Sequence, residues 1–100
     1  MKFAFLIMGD FDMIRDRAAI GEKGTAQMIG VSSLEDACTV AKELYQQGVD
    51  CIELCGAFGE GGAKKVIEAT ENKLPVCYVT HLPEQEEIYQ LAFKRNNISI

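Results

Sequence analysis

The sequence predicts an α/β fold: one compact single layer of about four mostly parallel strands with three helices, assembled from Rossmann-like or partial-barrel βα units. Three observations predict it. Phe3 to Met8 is an unbroken apolar run, which suits a strand covered on both faces. From Ser32 onward, apolar residues recur at the spacing of a helix that buries one face. Beyond that helix the chain alternates strand and helix to its end, the order that right-handed crossovers turn into a parallel sheet.

The elements follow in order. Residues 2–8 form the first strand. Residues 9–24 are charged and interrupted by Gly9, Gly21 and Gly24, too long a stretch for a plain connection, so they read as a lid or a flexible insert. Residues 25–31 read as a second strand lying at a sheet edge. Ser32 opens the helix, because Ser32 and Glu35 stand in the S-x-x-E relation that satisfies free amides at a helix start. Its inner face is Leu34, Ala37, Cys38, Ala41, Leu44 and Tyr45, and Gly48 supplies the left-handed stop. Val49 to Cys55 form a third strand, Gly56 to Gly62 a glycine-rich turn, and Ala63 to Thr70 a short helix with Val66 and Ile67 turned inward. Val76 to Thr80 form a fourth strand. Pro83 then begins a last helix with Ile88, Leu91 and Ala92 as its apolar stripe, and Asn96 to Ile100 are expected to fray.

A length of 100 residues fits one domain spanning 1–100, with no room for a second core. A core of that size is marginal, and self-association is a common remedy, so a homo-oligomer is expected. Hydrophobic residues at 48% and charged residues at 25% describe an ordinary folded chain. The net charge of −5 argues against nucleic acid or an anionic membrane as a partner, since both attract basic surfaces. The apolar start imitates a signal peptide, but Gly9-Asp10 ends the run without a cleavage site, so the expected location is the cytosol.

The four cysteines agree with that location. Cys51 and Cys55 fall on one strand, about 13 Å apart, too far for a disulfide or a shared metal. Cys38 and Cys77 occupy apolar positions, where free cysteine behaves as a small hydrophobe. Four reduced thiols, three of them in the core, are expected.

In open parallel sheets ligands bind beyond the carboxyl ends of the strands, which directs attention to Met8-Gly9-Asp10, Glu53-Leu54-Cys55 and Thr80-His81. Glu53 lies inside an otherwise apolar strand, where a carboxylate is costly unless paired or functional. Cys55 precedes a turn and a helix, whose amides lower a thiol pKa, and His81, the only histidine, could serve as its base. The catalytic candidates are therefore Glu53, Cys55 and His81. The ordinary alternative is a packed thiol, a histidine tied to a loop carbonyl and a structural carboxylate. Asp10 and Gln27, with Gly56, Gly59, Gly61 and Gly62 of the turn, are the ligand-binding candidates, because free amides at a strand-to-helix turn receive anions. The turn matches neither a Walker loop nor the dinucleotide fingerprint, so no cofactor is assigned, and no metal-ligand spacing occurs.

The segments Phe5-Leu6-Ile7-Met8-Gly9, Gly24 to Val31, Gly48 to Gly59 and Pro75 to His81 carry a resemblance. Through them the chain resembles, nearly end to end, a family of small, mostly bacterial proteins of about this length classed as a domain of unknown function. The resemblance implies a fold and no activity. Glu35 to Glu53 also looks like one β/α unit of barrel aldolases of the keto-deoxy-phosphogluconate type, but no lysine stands at a carboxyl strand end to form their imine. The expected function is the binding of a small polar or anionic metabolite at the carboxyl-end rim. The alternatives are a thiol or acid/base enzyme and an accessory or structural subunit.

Overall fold

A computed structural model describes residues 1–96. It contains β1 (Phe3–Met8), β2 (Arg17–Ile20), β3 (Ala26–Val31), α1 (Leu34–Gln46), β4 (Cys51–Leu54), α2 (Gly59–Ala69), β5 (Val76–Tyr78) and α3 (Glu86–Arg95), with single 3-10 turns at Gly56–Phe58 and Pro83–Gln85. The five strands form one sheet in the order β2-β3-β1-β4-β5. All neighbours are parallel except the β2–β3 pair. The fold is thus α/β, mostly parallel, with one strand more than expected. The expected fraying beyond Asn96 lies outside the described residues.

The extra strand corrects the reading of residues 9–24 as a lid or flexible insert, and of residues 25–31 as a sheet edge. Arg17–Ile20 pairs antiparallel along β3, with Ala18 opposite Met28 and Ile20 opposite Ala26, so β2 is the edge. Every residue of β2 is exposed, and a strand without a buried side leaves no alternation in its sequence.

Helix α1 starts one residue later than expected. Ser33 is the cap, its Oγ accepting from the Asp36 N–H at 3.0 Å, while Ser32 Oγ donates to the Asp36 carboxylate. Its buried stripe is Ala37, Val40, Ala41 and Leu44, and Leu34 and Tyr45 at its margins are exposed. The expected glycine turn is largely helical. Gly59, Gly61 and Gly62 all lie within α2, and Gly62 is there for packing: a Cβ on it would sit 3.1 Å from Phe58 Cβ and 3.3 Å from Leu34 Cδ2. Close approach of α2 to α1 overrides the poor helix propensity of glycine.

Strand register shows how the core is made. Ala4, Leu6, Ile29, Val31, Ile52 and Leu54 point to one side of the sheet, all fully buried against the stripes of α1 and α2. The two crossovers, β3 to β4 and β4 to β5, run in the same direction across the sheet, and right-handed crossovers of one direction land on one face. The passage from β1 to β3 goes through β2 and brings no helix. Among the described residues the second face, bearing Phe3, Phe5, Ile7, Met28, Glu53 and Cys77, is therefore left without a helical layer.

That open face corrects the cysteine expectation. All four thiols are free, but only Cys51 is buried; Cys38 and Cys55 are half-buried and Cys77 is exposed, because β5 is an edge strand and Cys77 lies on its open side. Helix α3 is likewise rotated from the expected stripe. Tyr89, Ala92 and Phe93 are its half-buried side, whereas Ile88 and Leu91 are 64% and 56% exposed.

Candidate functional site

Strands β4 and β5 run side by side in one direction, with Glu53 opposite Cys77 and the Val79 N–H donating to Leu54 O at 2.9 Å beyond the last strand pair. Cys55 and His81 both follow the carboxyl ends of these strands. Glu53 lies earlier, on the open face, between Phe5 and Cys77. It is half-buried and makes no side-chain hydrogen bond or ion pair among the described residues. The neighbouring Cys51 thiol is pushed up by burial first, then by the thiol of Cys77 and the charge of Glu53.

The three catalytic candidates share an edge without bonding to one another. Cys55 Sγ accepts from the Met8 N–H at 3.3 Å, and the Cys55 N–H donates to Leu6 O at 3.0 Å, which fixes the thiol over the end of β1. His81 turns the other way. Its Nε2 pairs with the Glu86 carboxylate, and its ring stacks on Tyr89 with centroids 4.1 Å apart. The hydrogen bond from His81, then that from Gln90, holds the Glu86 carboxyl below the usual range. Tyr89 in turn packs its hydroxyl over Gly56, where a Cβ would lie 2.9 Å away. Gly56 thus accommodates α3, and the stack of His81, Tyr89 and Phe93 fastens that helix to the rim.

Of the ligand candidates, Asp10 is exposed just past β1, at the carboxyl end. Gly59 adopts a left-handed φ of 62° where the 3-10 turn passes into α2, and Gly61 faces open space. Gln27 is not at the rim. It is the second residue of β3, pairing with Ala4 near the start of β1, so it sits toward the amino end of the sheet and on the face that α1 and α2 cover.

The carboxyl ends of β1 and β3 hold a feature that the motifs did not signal. Residues 9–16 fold back as an ordered cap. Asp12 Oδ1 accepts from the Ile14 and Arg15 N–H groups at 2.9 Å each, Asp16 Oδ2 accepts from the Asp12 N–H at 2.7 Å, and the Gly30 N–H donates to Asp16 O. These bonds lower the carboxyl pKa of both aspartates, from the Arg15 and Ile14 amides in Asp12 and from the Asp12 amide and Arg15 side chain in Asp16. The cap lays the Phe11 ring across Gly9 and Gly30. A Cβ at either glycine would meet Phe11 at 2.6 Å, so both positions need a residue without one.

Beside Phe11 opens a groove of about 340 Å³. Its floor is Ile7, Met28, Ile29 and Gly30, and its wall is Ala18 with Arg15, Asp16 and Arg17. Arg17 is held in place, donating to Met13 O at 2.6 Å and pairing with Glu43 of α1 at 3.3 Å. Arg15 is looser, 75% exposed at its side chain and 3.4 Å from Asp16. Such an arrangement suits an apolar body with an anionic group at its edge. Phe11, Ile7 and Met28 come from three separate segments, and only the small residues at 9 and 30 hint in the sequence that a ring crosses there.

Among the described residues no cluster of three or more His, Cys, Asp or Glu side chains is placed to hold a metal ion. No helix among them is long and apolar enough to cross a membrane. The model of a family described as one of unknown function matches residues 1–94. No curated protein and no solved structure matches the chain.

Proposed function

The chain belongs to DUF6506, a family of unknown function, and we propose that it is a binding module for a small anionic metabolite with an apolar body, held beside the carboxyl ends of β1 and β3. One observation carries the reading: an apolar groove of about 340 Å³ with the exposed guanidinium of Arg15 at its wall. That volume falls within the range of small-molecule sites, and its floor offers the side chains that bury a flat apolar group. Arg15 supplies bidentate recognition of a carboxylate or phosphate. Its present bond to the half-buried Asp16, 3.4 Å long, is weak enough to be exchanged. The hydrogen-bonded cap keeps Phe11 in place, so binding requires little ordering of the chain.

Amide chemical shifts during titration with small aromatic carboxylates and phosphate esters test this. The expected result is saturable shifts at Ile7, Ala18, Met28 and Gly30, weakened about tenfold in Arg15→Ala because a hydrogen-bonded charge is lost. Neutral analogues of the same shape should bind more weakly than the anions. Shifts confined to Gly56–Gly62 and His81 would relocate the site, and their absence throughout the panel would end the proposal.

A thiol catalyst built on Cys55 and His81 draws no specific support, since the Cys55 sulfur takes a backbone amide and His81 takes Glu86. Four free thiols, one of them exposed, suit a reducing compartment, and the cytosol is the location we favour.

A further inference from the structure

Two apolar surfaces lack a partner among the described residues: the helix-free face of the sheet, and the outer side of α3. On the sheet Phe3 and Met28 are each 37% exposed and Ile20 50%; on α3 the exposed pair is Ile88 and Leu91. None of the residues of α3 is buried, although the helix is amphipathic, and the molecule is elongated at 38 × 26 × 24 Å. We propose that these surfaces are the two halves of a two-fold interface with a second copy of this chain, α3 of each copy lying across the open sheet of the other.

Charge favours a second copy as the occupant. The open sheet carries one carboxylate near its middle, Glu53, with no ion-pair partner among the described residues. The last turn of α3 carries Lys94 and Arg95, which likewise have none there. A reciprocal crossing brings these opposite charges together twice, and a two-fold axis makes each contact occur in both directions.

Ile7, Ala18 and Met28 of the open face also line the groove, so the dimer would compete with the ligand, whereas Phe3 and Leu91 lie outside that lining and their variants test association without altering the ligand site. The test is sedimentation velocity of the full chain at micromolar concentrations, with circular dichroism to confirm folding. The wild type should sediment at twice 11.0 kDa. Phe3→Lys and Leu91→Lys should each weaken association by about tenfold or more. Glu53→Lys and Arg95→Glu should each weaken it by about threefold, and the two together should restore it. Leu91→Lys alters only an exposed position of α3, so it remains informative if a sheet variant fails to fold. A folded wild type that stays monomeric overturns the proposal and leaves the face to a different protein. A dimer indifferent to either lysine variant also overturns it.

Discussion

Gly9 and Gly30 both lie under Phe11, yet the same added methyl would act differently at each. At Gly9 the new Cβ meets the far side of the ring, Cε2 at 2.6 Å; at Gly30 it meets Phe11 Cβ and Cγ at 2.6 and 2.7 Å. A ring can swing about its own bonds, whereas a Cβ moves only with the backbone. Gly9→Ala should therefore destabilise by about 1 kcal/mol and Gly30→Ala by about 3 kcal/mol, the two ends of the overpacking range. The double variants separate the causes. Phe11→Ala removes the ring but keeps its Cβ, so it should relieve Gly9→Ala and leave most of the Gly30→Ala penalty. Urea denaturation of the three single variants, the two double variants and the wild type reads this directly, and equal relief at both positions would contradict the described packing.

At the scale of elements, α1 shows how close a local reading can come. Ser32-Ser33-Leu34-Glu35-Asp36 offers two serine-to-acid pairings one residue apart, and propensity does not choose between them. Packing chooses: burial of Ala37, Val40, Ala41 and Leu44 against the sheet sets the helix phase and makes Ser33 the cap. Ser33→Ala should then cost about 1 kcal/mol in thermal or urea unfolding, while Ser32→Ala, which loses an exposed bond to Asp36, should cost a few tenths. The reverse order would place the helix start at Ser32 after all. Other elements were less legible. β1 and β4 were readable because burial writes apolar runs, but β2 has no buried residue and exists through its pairing with β3. The helical state of Gly59 to Gly62 comes from contact with α1, which a reading of adjacent residues does not contain. The ends of β4 and β5 were placed together correctly in the sequence. The partners of their side chains were not, because His81 is claimed by Glu86 and Tyr89 of a helix whose inner side had been assigned to other residues.

For the whole molecule, the direction of the crossovers decides where stability resides. With both α1 and α2 on one face, the strands at the centre are sealed from that side alone, and β1 and β4 lie between hydrogen-bonded neighbours on both flanks. β2 is an exposed edge, and α3 is held by one aromatic stack, one ion pair and the Tyr89 contact at Gly56. Opening free energies should follow this layout. In native-state hydrogen exchange the amides of Ala4, Leu6, Ile52 and Leu54 should exchange only through global unfolding, with a denaturant dependence matching that of the whole chain. Amides of β2 and α3 should exchange by local opening with little denaturant dependence, since few apolar contacts are lost. Association through the open face adds a second signature. Residues of α3 would then slow as protein concentration rises, because exchange of the helix would require the partner to leave first. The face-breaking variant Leu91→Lys should abolish that concentration dependence while leaving the β1 and β4 amides unchanged in their order. If α3 proved as protected as β1 in dilute protein, the helix would be bound more firmly to its own sheet than its exposed residues allow.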